Sequence, residues 1–255
     1  SGIDSASEDK LLASDGAAND YFGKSVSAAG DVDGDGYDDL IIGSFYDDDN
    51  GSYSGSAYVY YGTASGIDSA SEDKLLASDG AANDYFGISV SAAGDVDGDG
   101  YDDLVVGALG DDDNGSQSGS AYVYYGTATG TDSASEDKLS ASDGGAADEF
   151  GWSVSAAGDV DGDGYDDLVV GAYGDSSTSG SAYVYYGGCS GDSDSDGDGF
   201  GCTEDCDDAD ADTYPGAAAS DSTTDCMTDA DGDGFGDDSP ATGVTAGTDC
   251  NDSDA

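Results

Sequence analysis

The eleven residues Gly30–Leu40, GDVDGDGYDDL, recur unchanged at Gly94–Leu104 and Gly158–Leu168, and they decide how the rest of the chain is read. Counted from its first aspartate, each copy places carboxylates at positions one, three, five and nine. In the first copy these are Asp31, Asp33, Asp35 and Asp39. Alternate spacing lets successive side chains of a tight loop converge on one point. Gly34 and Gly36 let the backbone curl around that point without a steric cost. Hard oxygen donors in this number suit calcium far better than zinc or copper. The pattern predicts three calcium loops, each set between two strands.

The same spacing opens an EF-hand loop, which also needs a bidentate Glu at position twelve and flanking helices. Position twelve here is Ile42, Val106 or Val170, each inside an apolar run. That excludes an EF-hand.

Composition narrows the setting. Asp and Glu number 58 against four basic residues, all lysines, giving a net charge of −54 with no His. So acidic a chain repels nucleic acid and anionic membranes. High charge with low hydrophobicity ordinarily signals disorder, but here the aspartates recur in register with apolar runs. No stretch approaches the ~20 apolar residues of a membrane span, so no membrane insertion is expected. Loops of this type fill at calcium levels on the order of millimolar, as found outside cells. The cysteines Cys189, Cys202, Cys206, Cys226 and Cys250 all lie late in the chain. Their clustering fits disulfides in an oxidising compartment, with one left over. An extracellular or cell-surface location is therefore expected.

The repeat itself sets the organisation. Asp31, Asp95 and Asp159 fall at 64-residue intervals, as do Phe22-Gly23, Phe86-Gly87 and Phe150-Gly151. The repeats run about 1–64, 65–128 and 129–188. After each Phe-Gly comes SVSAAG (Ser25–Gly30), then the acidic loop, then the apolar run Leu40–Gly43. A second acidic loop follows, Asp47–Ser52, and then SAYVYYG (Ser56–Gly62), whose aromatic and β-branched content marks a strand. A segment centred on Lys74-Leu75-Leu76 supplies a fourth, outermost strand. Four short strands per unit predict an all-β chain of propeller-type, four-stranded antiparallel blades.

Phe-Gly, the D-x-D-x-D-G-x-x-D loop and the apolar strand ending in glycine together resemble the FG-GAP repeat of integrin α-subunit propellers. The resemblance covers about residues 1–188. It implies one calcium on Asp31, Asp33, Asp35, the Tyr37 carbonyl and Asp39, and a second on Asp95, Asp97, Asp99, Tyr101 and Asp103. A third falls on Asp159, Asp161, Asp163, Tyr165 and Asp167. Integrin-like propellers have seven such repeats where this chain has three. The third repeat leaves its pattern at Gly188, before an outermost strand, while residues 1–20 carry that segment with no blade before them. Two expectations follow: strand donation between chains, giving a head-to-tail filament, or an excerpt of a longer array.

Residues 189–255 read as a separate Asp/Cys-rich tail. The runs Asp194–Gly201 and Asp229–Gly236 are each followed by an Asp-Cys element. The tail is similar to thrombospondin type-three calcium repeats, organised by ions and disulfides rather than by a core. That likeness implies one ion on Asp194, Asp196 and Asp198, with Asp205 a further candidate. Another falls on Asp229, Asp231, Asp233 and Asp237. Cys202 stands where the first tail cluster should have its ninth-position acid.

Catalysis is not expected. Without His the usual general base and the Ser-His and Cys-His pairs are missing. The unrepeated acid near a blade core is Glu149. Most of the 18 tyrosines sit at equivalent strand positions, where packing between blades outweighs a carbohydrate-stacking role, and Trp152 replaces Lys24 and Ile88. Asn50, Asn114 and Asn251 open glycosylation sequons. Two classes of function remain: a calcium-rigidified binding module that engages an extracellular protein or glycan, either in its own right or as a non-catalytic part of a larger secreted enzyme; and a structural subunit of an extracellular fibre or matrix that assembles with itself. An unrepeated exposed patch on one blade would mark the first class.

Overall fold

A computed structural model describes residues 8–175, 179–188, 212–222, 226–230, 232, 234–236 and 244–248. The chain divides into two compact units, Ser1–Val96 with Gly100–Gly187, and Asp97–Asp99 with Gly188–Ala255. The first contains the repeats. Strands β1 (Ser25–Gly30), β2 (Asp39–Ser44), β3 (Ser56–Tyr60) and β4 (Glu72–Leu75) form one antiparallel sheet in that order. Strands β5 (Ser89–Gly94), β6 (Asp103–Ala108), β7 (Ser120–Tyr124) and β8 (Glu136–Leu139) form a second of the same order. The third sheet holds β9 (Phe150–Gly158), β10 (Asp167–Ala172) and β11 (Ser181–Tyr185), three strands among the described residues. The fold is all-β and built of propeller-type antiparallel blades, as the repeat pattern predicts.

Two details depart from the sequence reading. The outermost strand is Glu72–Leu75, earlier than a segment centred on Leu75, because Glu72 and Lys74 lie opposite Tyr60 and Tyr58 and bond across the sheet's end. The third innermost strand starts at Phe150, with a register shift that brings Phe150 opposite Ala172.

Each innermost strand ends in a bulge. Ala29 is the extra residue where β1 meets β2, and Gly30 follows it at φ +80°. A bulge bends and twists the strand, which turns the chain into the acidic loop. Gly30 also has to be glycine for space: an added Cβ would fall on the Asp102 carboxylate of the next repeat.

The blades stack through their faces, with β1, β5 and β9 as neighbours. One core joins Val32, Ile41 and Val59 of the first blade to Phe86, Leu104, Tyr122 and Tyr124 of the second. Another joins Val96, Val105 and Val123 to Phe150, Leu168 and Val170. Each fully buried side chain of this size contributes roughly 1.5–3 kcal/mol. Strands β3 and β7 are buried on both faces, so their tyrosines are packing residues. The Phe-Gly turn is the junction itself. Gly87 lies against Gly43 with no room for a Cβ, and Ser25 Oγ donates to the Gly87 carbonyl at 2.7 Å.

The second unit carries a small sheet, β12 (Thr213–Pro215) paired antiparallel with β13 (Cys226–Thr228). Ala218 and Met227 are its buried apolar side chains among the described residues. The expected ligands Asp194, Asp196, Asp198, Asp205, Asp231, Asp233 and Asp237 lie outside the described residues, as do Cys189, Cys202, Cys206 and Cys250.

Candidate metal centre

The acidic loops fold on their own carboxylates before any ion is considered. In the first, Gly36 N donates to Asp31 Oδ2 at 2.9 Å, Asp35 N to Asp33 Oδ1 at 3.1 Å and Tyr37 N to Asp35 Oδ1 at 2.9 Å. These short-range bonds from aspartate side chains to following amides are the natural way for this residue to hold a tight loop. Gly34 and Gly36 take φ values of +70° and +90°, a region where any side chain is strained.

Asp39 closes the loop from the far side. It is fully buried at the head of β2, accepting from Val32 N at 2.9 Å and from Gly62 N at 2.7 Å. The ninth-position acid therefore braces the loop and the end of β3 together. Carboxylate oxygens of Asp31, Asp33 and Asp39 all lie within 4.8 Å of one another. Burial pushes the Asp39 carboxyl up to about 6, against the pull of its two amide donors, and the charges of Asp33 and Asp31 add to the rise. Three acids this close repel unless a cation or a proton intervenes.

The other loops repeat the scheme. Asp103 accepts from Val96 N at 2.8 Å and Gly126 N at 2.9 Å, and Asp167 accepts from Val160 N at 2.7 Å and Gly187 N at 2.9 Å. Asp159, Asp161 and Asp167 converge in the third loop, and Asp95, Asp97 and Asp99 in the second. In the first and third loops the fifth-position acids Asp35 and Asp163 stand outside the convergent triple and cap Tyr37 N and Tyr165 N instead. The ring of Tyr101 covers Gly34. In the tail, Asp229 accepts from Gly232 N and Gly234 N, both at 2.9 Å. That is the role Asp159 plays toward Gly162 and Gly164.

The donor set fits a hard divalent cation. It consists of carboxylate oxygens, and Asp31 Oδ1 is buried with no hydrogen-bond partner. An orphaned buried oxygen costs roughly 1–3 kcal/mol, which a bound ion would remove.

Two further acid clusters escaped the sequence reading. Asp15, Asp47 and Asp49 converge, as do Asp79, Asp111 and Asp113, and each already holds a cation of the protein's own. Lys74 Nζ lies 2.7, 3.1 and 2.5 Å from Asp15, Asp47 and Asp49, and Lys138 repeats this at 2.6, 2.8 and 2.6 Å. Burial works against the Lys74 ammonium, but hydrogen bonds to Asp15 and Asp49 outweigh it and hold its pKa above the ordinary lysine value. Tyr58 OH donates to Asp15 at 2.8 Å and to Asp47 at 3.0 Å beneath it. The signal was in the sequence: a chain with four basic residues repeats one of them, in EDKL, at the blade spacing.

Also missed was the eighth-position acid. Asp102 Oδ2 accepts from Asp31 N at 2.8 Å, and Asp166 Oδ2 from Asp95 N at 3.2 Å. This residue ties each loop to the blade before it. A third feature is an aromatic cluster at the first two repeats, made by Tyr21, Phe45, Tyr46, Tyr53 and Tyr85. Phe45 and Tyr46 lie 4.1 Å apart and Tyr46 and Tyr53 4.6 Å, with Tyr21 and Tyr53 exposed. The cluster is unrepeated, since Leu109-Gly110 replaces Phe45-Tyr46 and Gln117 replaces Tyr53. In the third repeat exposed Trp152 stacks on Tyr173 at 4.9 Å. Glu149 sits at φ +53° and belongs to no convergent group of three or more acids among the described residues.

Stacked antiparallel blades joined at Phe-Gly turns, each with an acidic loop between its first two strands, define a β-propeller repeat protein. The FG-GAP repeat model matches residues 6–60, 70–124 and 134–185, and the chain belongs to the FG-GAP repeat family. It is 36% identical over 166 residues to integrin alpha-5 of Xenopus laevis, covering 62% of this chain and 15% of that protein. It is 33% identical over 158 residues to human integrin alpha-6, covering 62% and 13%. Against integrin alpha-PS2 of Drosophila melanogaster it is 35% identical over 168 residues, covering 60% and 12%. The chain thus spans less than a sixth of the length of these relatives. No helix among the described residues is long and apolar enough to cross a membrane.

Proposed function

We propose that this chain is a non-catalytic, calcium-braced adhesion module working outside the cell or at its surface. The observation that carries the reading is the convergence of Asp31, Asp33 and Asp39 beside an orphaned buried oxygen, with the acid pattern repeated at the blade spacing. The proposed ligands are Asp31, Asp33, Asp35, Asp39 and the Tyr37 carbonyl, with their counterparts Asp95, Asp97, Asp99, Tyr101 and Asp103. The third set is Asp159, Asp161, Asp163, Tyr165 and Asp167. Calcium is favoured over magnesium because it accepts many carboxylate oxygens in flexible geometry. Its role is to cancel repulsion in the loops and hold the blades in place; the likeness to integrin α-subunits supports an adhesive partner.

The unrepeated aromatic cluster around Tyr46 supports contact with an extracellular protein or glycan over a purely uniform structural role. Exposed, clustered rings offer large contact area at small entropy cost. The tail is proposed to add ions at Asp194, Asp196 and Asp198 and at Asp229, Asp231, Asp233 and Asp237.

Calorimetric titration of the chelator-stripped chain with calcium tests the reading. The expected result is three ions lost when Asp39, Asp103 and Asp167 are changed together to Asn, with magnesium binding more weakly. Calcium uptake unaltered by the triple change would refute the assignment.

A further inference from the structure

On the strands, tyrosines meet phenylalanine: Tyr58 and Tyr60 face Phe22, and the later blades repeat the pairing with Phe86 and Phe150. Among the described residues, tyrosine meets tyrosine only in the unrepeated cluster around Tyr46. Tyr46 lies 4.6 Å from Tyr53, 5.2 Å from Tyr21 and 5.7 Å from Tyr85, and Tyr53 lies 6.4 Å from Tyr85. The Tyr46–Tyr53 pair is the closest of these and is tilted by 41°, which brings the two ring edges into contact. Tyr21 meets Tyr46 edge-on, and Tyr85 stands farther off. Burial, and then the phenols of Tyr46 and Tyr53, push the Tyr85 hydroxyl above its ordinary value, which marks the three hydroxyls as neighbours.

The backbone gives Tyr53 no reason to be a tyrosine. Its φ is +58°, and Gln117 holds the equivalent turn at +55°. That left-handed conformation strains a bulky residue and suits Gly or Asn. A strained position kept for a ring that is 41% exposed points to a use of the ring itself. The ring it touches belongs to the other end of the same loop, since Tyr46 and Tyr53 bracket Asp47–Ser52. This loop is also the lip of the first blade junction. The carbonyls of Ser52, Tyr53 and Ser54 accept from Asn83 N, Tyr85 N and Phe86 N at 2.9, 3.1 and 2.9 Å. The second junction has the same three bonds, with Ala147 N and Glu149 N among the donors. There Gly110 and Gln117 stand where the two phenols would be.

We propose that Tyr46 and Tyr53 form a dityrosine site, at which a haem peroxidase using hydrogen peroxide joins the two rings and closes the loop Asp47–Ser52 covalently. Each phenol gives up one hydrogen atom, a proton from its oxygen and an electron to the peroxidase, and becomes a tyrosyl radical. Tyr53 exposes its ring to the oxidant, and Tyr46, in contact with it, passes its electron out the same way. The two radicals pair at the ring carbons beside their oxygens, forming one Cε–Cε bond. The hydrogens on those carbons then move to the phenol oxygens, which restores both aromatic rings. Per bond, one hydrogen peroxide is reduced to two waters and the chain loses two hydrogen atoms. The reaction suits an oxidising extracellular setting. Closing the loop removes freedom from the unfolded chain and pins the lip of the first junction. The link needs neither a calcium ion nor a docked partner, so it stands or fails apart from the calcium and adhesion readings.

The test treats the full-length chain with a haem peroxidase and hydrogen peroxide, recovers single chains, and digests them with a protease that cuts before aspartate. Cuts at Asp47, Asp48 and Asp49 separate Tyr46 from Tyr53. Their two peptides therefore stay joined, lighter by two hydrogen atoms, only where the rings have coupled. That joined pair, with the fluorescence of a biphenol, is the expected product. Tyr53→Phe and Tyr46→Phe each abolish it, because a phenylalanine ring has no phenol hydrogen to give, while Tyr85→Phe retains it. In the coupled chain, amide exchange at Asn83 and Tyr85 slows several-fold, and exchange at Ala147 and Glu149 is unchanged. A wild type without the joined peptides, a joined pair that survives Tyr53→Phe, coupling of Tyr46 to Tyr85 instead, or equal slowing at both junctions would each overturn the proposal.

Discussion

Two kinds of acid cluster sit a few residues apart in every full blade, and the polypeptide supplies a cation to one of them. At Asp15, Asp47 and Asp49 the positive charge is Lys74, delivered by the outermost strand. At Asp31, Asp33 and Asp39 no lysine is ion-paired among the described residues; backbone amides reach Asp39, and one buried oxygen of Asp31 has no hydrogen-bond partner. The lysine cluster is complete in the polypeptide and ties neighbouring repeats together, since Asp15 lies before the blade and Lys74 at its end. The loop cluster is local, and the calcium proposed for it would come from solution. Where a cluster has to link distant parts of the chain, a covalently attached cation does it at any ion concentration. Where it has only to curl eleven residues, a dissociable ion would be enough, and would make the fold responsive to its surroundings.

Removing the lysine should erase the distinction. Lys74→Met leaves buried Asp47 and its two neighbours without a counter-charge and is expected to cost about 3 kcal/mol, read by denaturant unfolding in calcium-free buffer. Added calcium should recover part of that loss in the variant beyond what it adds to the wild type. If it recovers none, the two clusters differ in geometry and not just in their cation.

The pH dependence of the loop cluster sharpens the same contrast. Asp39 keeps its proton to about pH 6 in the fold, whereas an unfolded chain releases it near the ordinary carboxylate value of about 3.9. The folded state therefore binds more protons across this window. Its contribution is fully present below about pH 4 and is lost as pH rises through 6, on the order of 2–3 kcal/mol. Thermal melts with a chelator between pH 4 and 7 should show this loss, and Asp39→Asn should flatten it. Calcium, which takes the proton's place, should abolish it in the wild type.

The smallest effect expected is at the floor of the lysine cluster. Tyr58→Phe removes one hydroxyl shared between Asp15 and Asp47 and should cost about 1–2 kcal/mol. Its unfolding midpoint should shift equally with and without calcium.

The acidic loops were legible because their chemistry is compressed into nine residues: spacing placed Asp31, Asp33, Asp35 and Asp39 in one loop, of which Asp31, Asp33 and Asp39 converge while Asp35 turns to cap Tyr37 N. The strands were legible from SAYVY and LIIG, whose ends the structure moves by a residue or two. Lys74 was seen as part of a strand and not as the centre of a cluster, since its partners Asp15 and Asp47 lie 59 and 27 residues away. Asp102 was passed over for a like reason. Its partner amide, at Asp31, belongs to the preceding blade 71 residues earlier, and no local pattern records that contact. The aromatic cluster around Tyr46 assembles side chains from two repeats and three connections between strands, so composition showed many tyrosines and not where they meet.

The sequence by itself determined a repeat of β-blades with acid-lined turns, through the run GDVDGDGYDDL and the SVSAAG, LIIG and SAYVY segments that recur beside it, because loop geometry and strand periodicity are set by neighbours in sequence. Only the tertiary structure decided that its ninth acid is buried as a brace, that its eighth reaches back to another blade, and that a lysine sits at the centre of a second acid cluster. Those outcomes depend on which blade faces pack together, and burial and long-range pairing are properties of the assembled faces and not of any single stretch.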